Sequence, residues 1–135
     1  MQTLSGGILK EYAGLPLRLV LGLVFLVHGY LKLFGGIDGT TSFFSNIGIP
    51  LSGFFAYLVG IIELFGGLAL ILGLIVKVAS VILIINMVVA ILLVHLKNGF
   101  TGQGGYEFPL TLLAGLVTLA FLGAGKLSLQ KAFKK

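Results

Sequence analysis

The sequence predicts an all-α integral membrane protein, built as a four-helix bundle with both termini in the cytoplasm. Its composition supports this class because 58% of the 135 residues are apolar, only 10% are charged, and the mean hydropathy is +1.16. A soluble domain carries roughly a quarter charged residues, so this chain has too little polar surface to be wetted on all sides. The composition therefore excludes a soluble enzyme, a nucleic-acid-binding protein and a disordered tail, and it makes the lipid bilayer the first expected partner.

Four apolar runs supply the helices of this bundle: residues 15–34, 51–74, 78–96 and 108–122. A helix crosses the hydrocarbon core with about 20 residues, and backbone groups in lipid must bond within their own segment. We therefore expect each run to form one spanning helix. The connections between the runs are short, which leaves a single transmembrane domain over residues 1–135.

The two external connections differ in character. Residues 35–50 contain Thr40 and Thr41, either of which can cap a short helix, and Gly48 can end that helix. The phenylalanines between them favour a helix that lies in the membrane interface. Residues 98–106 are rich in glycine without a phosphate-binding spacing, and we expect a flexible loop there.

The basic residues predict the orientation. One side of the membrane would hold Lys32 and Lys97, whereas the other would hold a larger set: Lys10, Arg18, Lys77, Lys126, Lys131, Lys134 and Lys135. Cytoplasmic loops carry the excess of Lys and Arg, so the larger set marks the cytoplasmic side of the cell membrane, together with both termini. The lysines of residues 126–135 are expected to lie against anionic lipid headgroups.

Cysteine is absent from the chain. This excludes disulfides, thiolate nucleophiles, iron–sulfur clusters and zinc sites that use cysteine. No metal site and no intrinsic cofactor are predicted.

Polar residues inside the apolar runs are expected to share one interior seam. A charge at the centre of a spanning helix costs about 2.5–3.5 kcal/mol on insertion scales, so such residues face protein rather than lipid. Small and polar residues recur at alternating spacings of four and three, which makes one stripe along each helix of a left-handed bundle. The four stripes are Arg18, Gly22, Phe25, Gly29 and Lys32; Ala56, Gly60, Glu63, Gly67 and Leu70; Ala79, Leu83, Asn86, Ala90, Leu93 and Lys97; and Glu107, Thr111, Ala114 and Thr118.

The candidate ligand-binding residues on or beside this seam are Glu63, Arg18, His28, Lys32, Asn86 and Glu107. Glu63 lies near the midplane, so we expect it to pair with Arg18 or His28, or to be protonated. Lys32 and Glu107 fall near the outer boundary, where an ion pair between them is expected.

His95 is expected on the opposite face of the third helix from Asn86, because nine residues separate the two. It would then reach the headgroup zone or a partner subunit. This placement argues against a haem held between His28 and His95.

Most of these residues also have a structural explanation. Arg18 can anchor a helix end by extending to the headgroups, Lys32 can mark a helix end, and Asn86 can hydrogen-bond between helices. Glu107 is favoured at a helix N-terminus by the helix dipole. Glu63 differs because a mid-span carboxylate is costly, which indicates a functional role.

Segments throughout the chain resemble the DoxX family of small four-helix membrane proteins. The similar segments are residues 18–22 with Phe25 and His28-Gly29, residues 32–35, residues 63–70 with Leu72-Gly73, residues 106–110, and residues 123–129. They follow the order and spacing of the family over almost the whole chain. The sequence departs from the family where Ala124 replaces the proline of a common Gly-Pro-Gly turn.

The resemblance implies a membrane subunit that works with an oxidoreductase. Relatives in the family occur with thiosulfate:quinone oxidoreductase, where a DoxD subunit works beside a DoxA subunit, and with redox-stress complexes. Many members have no established activity, so the resemblance alone does not make this chain an enzyme.

Three functions remain open from the sequence. In the first, the seam binds a quinone head group or a sulfur oxyanion, with Arg18, His28 and Glu63 supplying hydrogen bonds and protons and Lys32 as a further candidate. In the second, the protein is a scaffold or assembly subunit and the seam only fixes helix register. In the third, the chain forms a proton or small-solute pathway, which would require a homo-oligomer because four short helices leave little lumen.

Overall fold

The computed structural model describes residues 2–134, and every regular element in that range is helical. The predicted all-α class is therefore confirmed. Seven helices follow one another along the chain: α1 (Gln2–Tyr12), α2 (Leu15–Tyr30), α3 (Ile37–Asn46), α4 (Ser52–Leu72), α5 (Val76–Ala90), α6 (Glu107–Leu122) and α7 (Leu129–Phe133). Helix α2 continues into a π-helical turn at Leu31–Gly35, and α5 continues through a π-helical turn at Ile91–His95 and a 3-10 turn at Leu96–Asn98.

Three of the helical segments are long and apolar enough to cross a membrane, which makes this a membrane protein. They are Gly6–Gly35, Ser52–Leu72 and Val76–Asn98, with mean hydropathies of 1.7, 2.2 and 2.7. Helix α6 is also apolar but has 16 residues, or about 24 Å at 1.5 Å per residue. The hydrocarbon core is about 30 Å thick, so the fourth crossing stays a prediction.

Helices α2 and α4 form the tightest contact of the bundle, and glycines make it possible. A Cβ atom at Gly29 would overlap the backbone nitrogen of Leu64, and one at Gly67 would overlap the backbone nitrogen of Leu26. A Cβ at Gly22 would lie 2.8 Å from the carbonyl oxygen of Gly67. Small residues at a helix interface let two backbones approach closely, and here they bring the polar residues of α2 and α4 together.

The predicted seam of α4 matches the residues that the structure buries, and the seam of α2 matches except that Leu21 is also buried and Lys32 is only partly buried. In α4 the buried residues are Ala56, Gly60, Glu63, Gly67 and Leu70, and in α2 they are Arg18, Leu21, Gly22, Phe25 and Gly29. In α5 the buried residues are Val76, Ala79, Ser80, Leu83 and Met87, so the predicted seam holds at Ala79 and Leu83, whereas Met87 is buried in place of Asn86. The core between these helices is thus apolar, and within the described chain the charged residues buried in it are Arg18 and Glu63.

The predicted seam of α6 is wrong. The helix buries Pro109, Leu112, Leu116 and Leu119 instead, whereas its two threonines face outward. Thr111 donates to the carbonyl oxygen of Glu107 at 2.8 Å and Thr118 to that of Ala114 at 3.0 Å. Because a threonine hydroxyl can bond to its own helix four residues back, it needs no polar interior, and its presence does not mark the buried face.

The first long connection contains the predicted short helix, α3, although its start differs. The helix begins at Ile37, so Thr40 lies inside it and donates to the carbonyl oxygen of Gly36 at 3.2 Å rather than capping it. Gly48 follows the end of α3 with φ +87°, as expected of a residue that ends a helix. The location of α3 at the membrane interface stays a prediction.

The second long connection is held by hydrogen bonds, in contrast to the predicted flexible loop. The amide of Tyr106 donates to Gly99 at 3.0 Å, and the side chain of Asn98 donates to the carbonyl oxygen of Gly104 at 3.0 Å. The rings of Phe100 and Tyr106 also meet edge to face with centroids 5.3 Å apart. Backbone bonds across the loop and the side-chain bond of Asn98 supply order that a count of glycines does not reveal.

The packing of α2 on α4 predicts a large difference between two glycine substitutions. Gly29→Ala should lower the free energy of unfolding by about 2 kcal/mol or more, because overpacking a rigid contact forces the backbone to move. Gly7→Ala in α1 is the matched control, since its Cβ would meet nothing within 4 Å, and it should be neutral or stabilising by up to about 1 kcal/mol. Thermal unfolding in detergent checks both variants, and equal stability of the two would contradict this packing.

Candidate functional site

The buried carboxylate of Glu63 is bound by residues from two neighbouring helices. The Nζ atom of Lys32 lies 2.7 Å from Oε2 of Glu63, and Nδ2 of Asn86 donates to Oε1 at 3.1 Å. Glu63 is 5% exposed, and both of its oxygens have a donor. A buried charge persists where it is paired and hydrogen-bonded, so this arrangement allows an ionised carboxylate within the apolar bundle.

This geometry corrects the predicted pairing. Glu63 pairs with Lys32 and not with Arg18 or His28, and the expected ion pair between Lys32 and Glu107 is replaced by it. The close packing of α2 on α4 brings Lys32 to within one turn of Glu63, since a Cβ at Gly60 would lie 3.6 Å from Cβ of Lys32. The flexible stem of the lysine then spans the remaining distance.

A cavity of about 1020 Å³ lies beside this cluster. It is bounded by α2, α3, α4, α5 and the first turns of α6, and most of its lining is apolar, with Phe25, Phe44, Met87 and Leu112 among the buried contributors. The polar side chains on its wall are His28, Lys32, Thr40, Glu63, Asn86 and His95. Ligand sites are typically apolar concavities with a few placed polar groups, and this cavity has that character.

Helices α2 and α5 both change to π-helical geometry where they pass the cavity. The turn at Leu31–Gly35 carries Lys32, and the turn at Ile91–His95 carries His95. Single π-turns within α-helices are frequent at functional sites. They also change the rotation of the residues that follow, and this alters which side chains share a face.

His95 lines the cavity, which corrects its predicted position on the outer face. Its Nδ1 atom lies 2.7 Å from the carbonyl oxygen of Gly104. Because a carbonyl oxygen only accepts, Nδ1 carries the hydrogen in this bond, and in a neutral ring Nε2 is then left as an acceptor. His28 lines the same cavity from α2. The placement of His28 and His95 on opposite sides, from which a haem between them was not expected, is therefore corrected.

Arg18 lies at the other end of the bundle, away from Glu63. Its guanidinium donates to the carbonyl oxygens of Ala124 and Leu127, the latter at 2.7 Å, and the side chain is 3% exposed. It therefore ties the segment between α6 and α7 to the start of α2. This end of the bundle, which carries α1, α7 and the turn between α4 and α5, is called the terminal end below.

A second ion pair supports the same segment. Lys126 Nζ lies 3.0 Å from Oε2 of Glu11 on α1, and this hydrogen bond together with the charge of Glu11 raises the pKa of Lys126. Both side chains are well exposed, so solvent screens the pair and it adds little to stability.

Glu107 is outside the cavity. It is exposed and is the first residue of α6, where a carboxylate is favoured by the helix dipole. Of the six residues expected to form one polar site, the structure thus brings His28, Lys32, Glu63 and Asn86 to the cavity and places Arg18 and Glu107 elsewhere. His95 is a cavity residue that was not among the six predicted, because the π-turn that carries it has no recognisable sequence signal.

The cluster can bind a polar group and exchange protons with it. Lys32 and Asn86 present donors, and Glu63 presents an acceptor whose protonation changes the charge balance of the cluster. In the described residues no group of three or more His, Asp or Glu side chains is arranged to hold a metal ion. An amphipathic organic molecule fits these surroundings, with its polar part at the cluster and its apolar part along the wall.

Removing one charge from the Lys32–Glu63 pair should cost more stability than removing both. Breaking a buried pair leaves an uncompensated charge and costs about 3–5 kcal/mol, whereas replacing both partners is often nearly neutral. We expect Lys32→Met to be strongly destabilising, and Lys32→Met/Glu63→Gln to recover most of that loss. A double-mutant cycle from unfolding in detergent measures this coupling. Additive effects of the two substitutions would show that the side chains do not interact.

Comparison with known proteins identifies relatives of similar length. The family profile described as DoxX matches residues 13–96, a range that contains Lys32, Glu63, Asn86 and His95. The protein named "Putative oxidoreductase CatD" of Bacillus subtilis (strain 168) is 39% identical over 120 residues, covering 89% of this chain and 86% of its own length. The "Uncharacterized membrane protein Rv3486" of Mycobacterium tuberculosis (strain ATCC 25618 / H37Rv) is 38% identical over 130 residues, covering 88% of this chain and 80% of its own length. No solved structure matches the chain.

Proposed function

Because the chain belongs to the DoxX family, we propose that it is the membrane subunit of a quinone-linked oxidoreductase system and binds a quinone in the cavity. The observation that carries this proposal is the apolar cavity of about 1020 Å³ with the Lys32–Glu63–Asn86 cluster on its wall. The oxidoreductase name of the Bacillus subtilis relative supports the reaction class. The system would act on sulfur compounds such as thiosulfate or take part in the response to redox stress.

The chemistry of a quinone fits the two parts of the site. Each carbonyl oxygen of the head group accepts hydrogen bonds, and Lys32 offers a charge-assisted donor of the stronger kind. The prenyl tail of a membrane quinone is apolar, and it suits the phenylalanine and aliphatic side chains that line the cavity. With Nδ1 donating to Gly104, the Nε2 atom of His95 faces the hydroxyl of the reduced form as an acceptor when the ring carries one proton.

The electrons would come from a partner subunit. Reduction of a quinone to a quinol takes two electrons and two protons, and this chain has no cysteine to carry a thiol couple or an iron–sulfur cluster. We therefore assign it the binding step, in which Lys32 and Asn86 donate hydrogen bonds to the head group and the Lys32–Glu63 pair stays charge-balanced. A membrane or peripheral oxidoreductase partner supplies the electrons.

The proposed topology has four crossings with both termini in the cytoplasm. The structure gathers α1 and α7 at the terminal end through the bonds of Arg18 and Lys126. Six of the described basic residues lie on the helices and turns of the terminal end: Lys10, Arg18, Lys77, Lys126, Lys131 and Lys134. The positive-inside rule then assigns it to the cytoplasm, and the bilayer can thin locally to accommodate the 16 residues of α6.

Quinone titration tests the proposal directly. A short-chain quinone should bind the purified protein saturably. Lys32→Met/Glu63→Gln should raise the Kd by about tenfold or more, because a hydrogen bond to a charged donor contributes about 1.5–3 kcal/mol. The double variant is chosen since it keeps the charge balance. Fluorescence quenching or calorimetry in nanodiscs measures the Kd.

Glu107→Gln is the matched control because it removes a carboxylate outside the cavity, and its Kd should stay within about twofold of wild type. If the wild type shows no saturable quinone binding, the proposal fails. The scaffold function, in which the polar cluster only fixes the helices, would then be favoured over a proton or small-solute pathway if no homo-oligomer is found.

A further inference from the structure

We infer that the terminal end carries a binding site for the phosphate group of an anionic membrane lipid. The site is a depression of about 360 Å³ between the first turn of α5, the end of α6 and α7. It does not rest on the proposed quinone site, which lies at the other end of the helices.

Three lysines from distant parts of the sequence line this depression. Lys77 comes from the first turn of α5, whereas Lys131 and Lys134 come from the final helix and its end. No acidic side chain is among the described residues that line it, and the ion pairs found in the described chain involve Lys32 and Lys126 instead. Such a group of cations repels itself unless an anion lies between them.

Hydrogen bonds to the backbone hold the lysines in this arrangement. The amide of Gln130 donates to the carbonyl oxygen of Gly73, in the turn before α5, at 3.1 Å. Ser128 caps α7 by accepting from the amide of Lys131 at 3.2 Å, and Arg18 holds the preceding residue through Leu127. The fold therefore positions the charges without using them, which leaves them available for a ligand.

The rim of the depression is apolar on the side of the bundle surface. Ile75, Val78 and Leu122 line it and are 60%, 55% and 52% exposed. The stem of Lys77 lies across Gly123, where a Cβ would be 3.1 Å from Lys77 Cε. A phosphate at the lysines would thus have an exposed aliphatic surface next to it, and this favours a phospholipid over free phosphate.

Serine and glutamine side chains complete the polar wall. Ser128 and Gln130 both line the depression. The Ser128 hydroxyl donates to the carbonyl oxygen of Gly125 at 3.0 Å, so the side-chain amide of Gln130 is the neutral donor of this pair that suits phosphate or glycerol oxygens. The expected ligand is therefore a phosphodiester headgroup with an exposed negative charge, such as phosphatidylglycerol, whose acyl chain lies along Val78 and Leu122.

Lipid retention tests this site. The protein is released from nanodiscs that contain equal amounts of phosphatidylglycerol and phosphatidylcholine, and native mass spectrometry measures the lipid that stays bound. Wild type should retain phosphatidylglycerol preferentially, and Lys77→Gln/Lys131→Gln should reduce this retention about tenfold or more, because each lysine near a lipid surface contributes about 1 kcal/mol. Equal retention of the two lipids by wild type would overturn the proposal, whether or not the variant folds.

Two further variants separate the site from general charge. Lys10→Gln/Lys97→Gln removes the same charge elsewhere and should change retention less than twofold, so an equal loss in both double variants would overturn the site. Lys77→Arg/Lys131→Arg keeps the charge and should keep the lipid, and loss of lipid here would contradict the electrostatic argument. Displacement of the lipid by millimolar inorganic phosphate would identify the ligand as free phosphate and would overturn the lipid assignment.

Discussion

The pairing of the buried Glu63 carboxylate with Lys32 and Asn86 is the interaction on which the rest of the structure depends. A carboxylate in the middle of an apolar bundle persists in ionised form only if donors reach it. Lys32 and Asn86 supply these donors from the helices on either side. Lys32 reaches it because Gly29 and Gly67 let α2 and α4 approach closely. The packing of the helices and the polarity of the cavity therefore have one common cause.

The two ends of the bundle use their polar residues differently. Around Glu63 the charged groups line a cavity, whereas at the terminal end the two terminal nitrogens of Arg18 donate to backbone carbonyls. An arginine whose two terminal nitrogens donate to backbone carbonyls fixes the chain, and a carboxylate on a cavity wall remains available to a ligand. Burial alone would rank Arg18 and Glu63 equally, since both are almost fully buried, and it is their partners that distinguish a structural role from a binding role.

Much of the fold could be predicted from the sequence, and the limits of the prediction have physical causes. The buried faces of α2 and α4 followed from the spacing of glycines, because close backbone approach is possible only where side chains are absent. The face of α6 was wrong because Thr111 and Thr118 bond to their own helix. The partner of Glu63 and the position of His95 were wrong because the reach of a lysine and the rotation at a π-turn depend on tertiary packing.

The charge state of Glu63 in the bilayer tests the central claim most directly. Infrared difference spectroscopy of wild type against Glu63→Gln, in lipid at neutral pH, isolates the vibrations of this one side chain. The account predicts that the lost signal is the pair of stretching bands of an ionised carboxylate. A lost carbonyl band of a protonated acid would contradict it, because an uncharged Glu63 would not need Lys32.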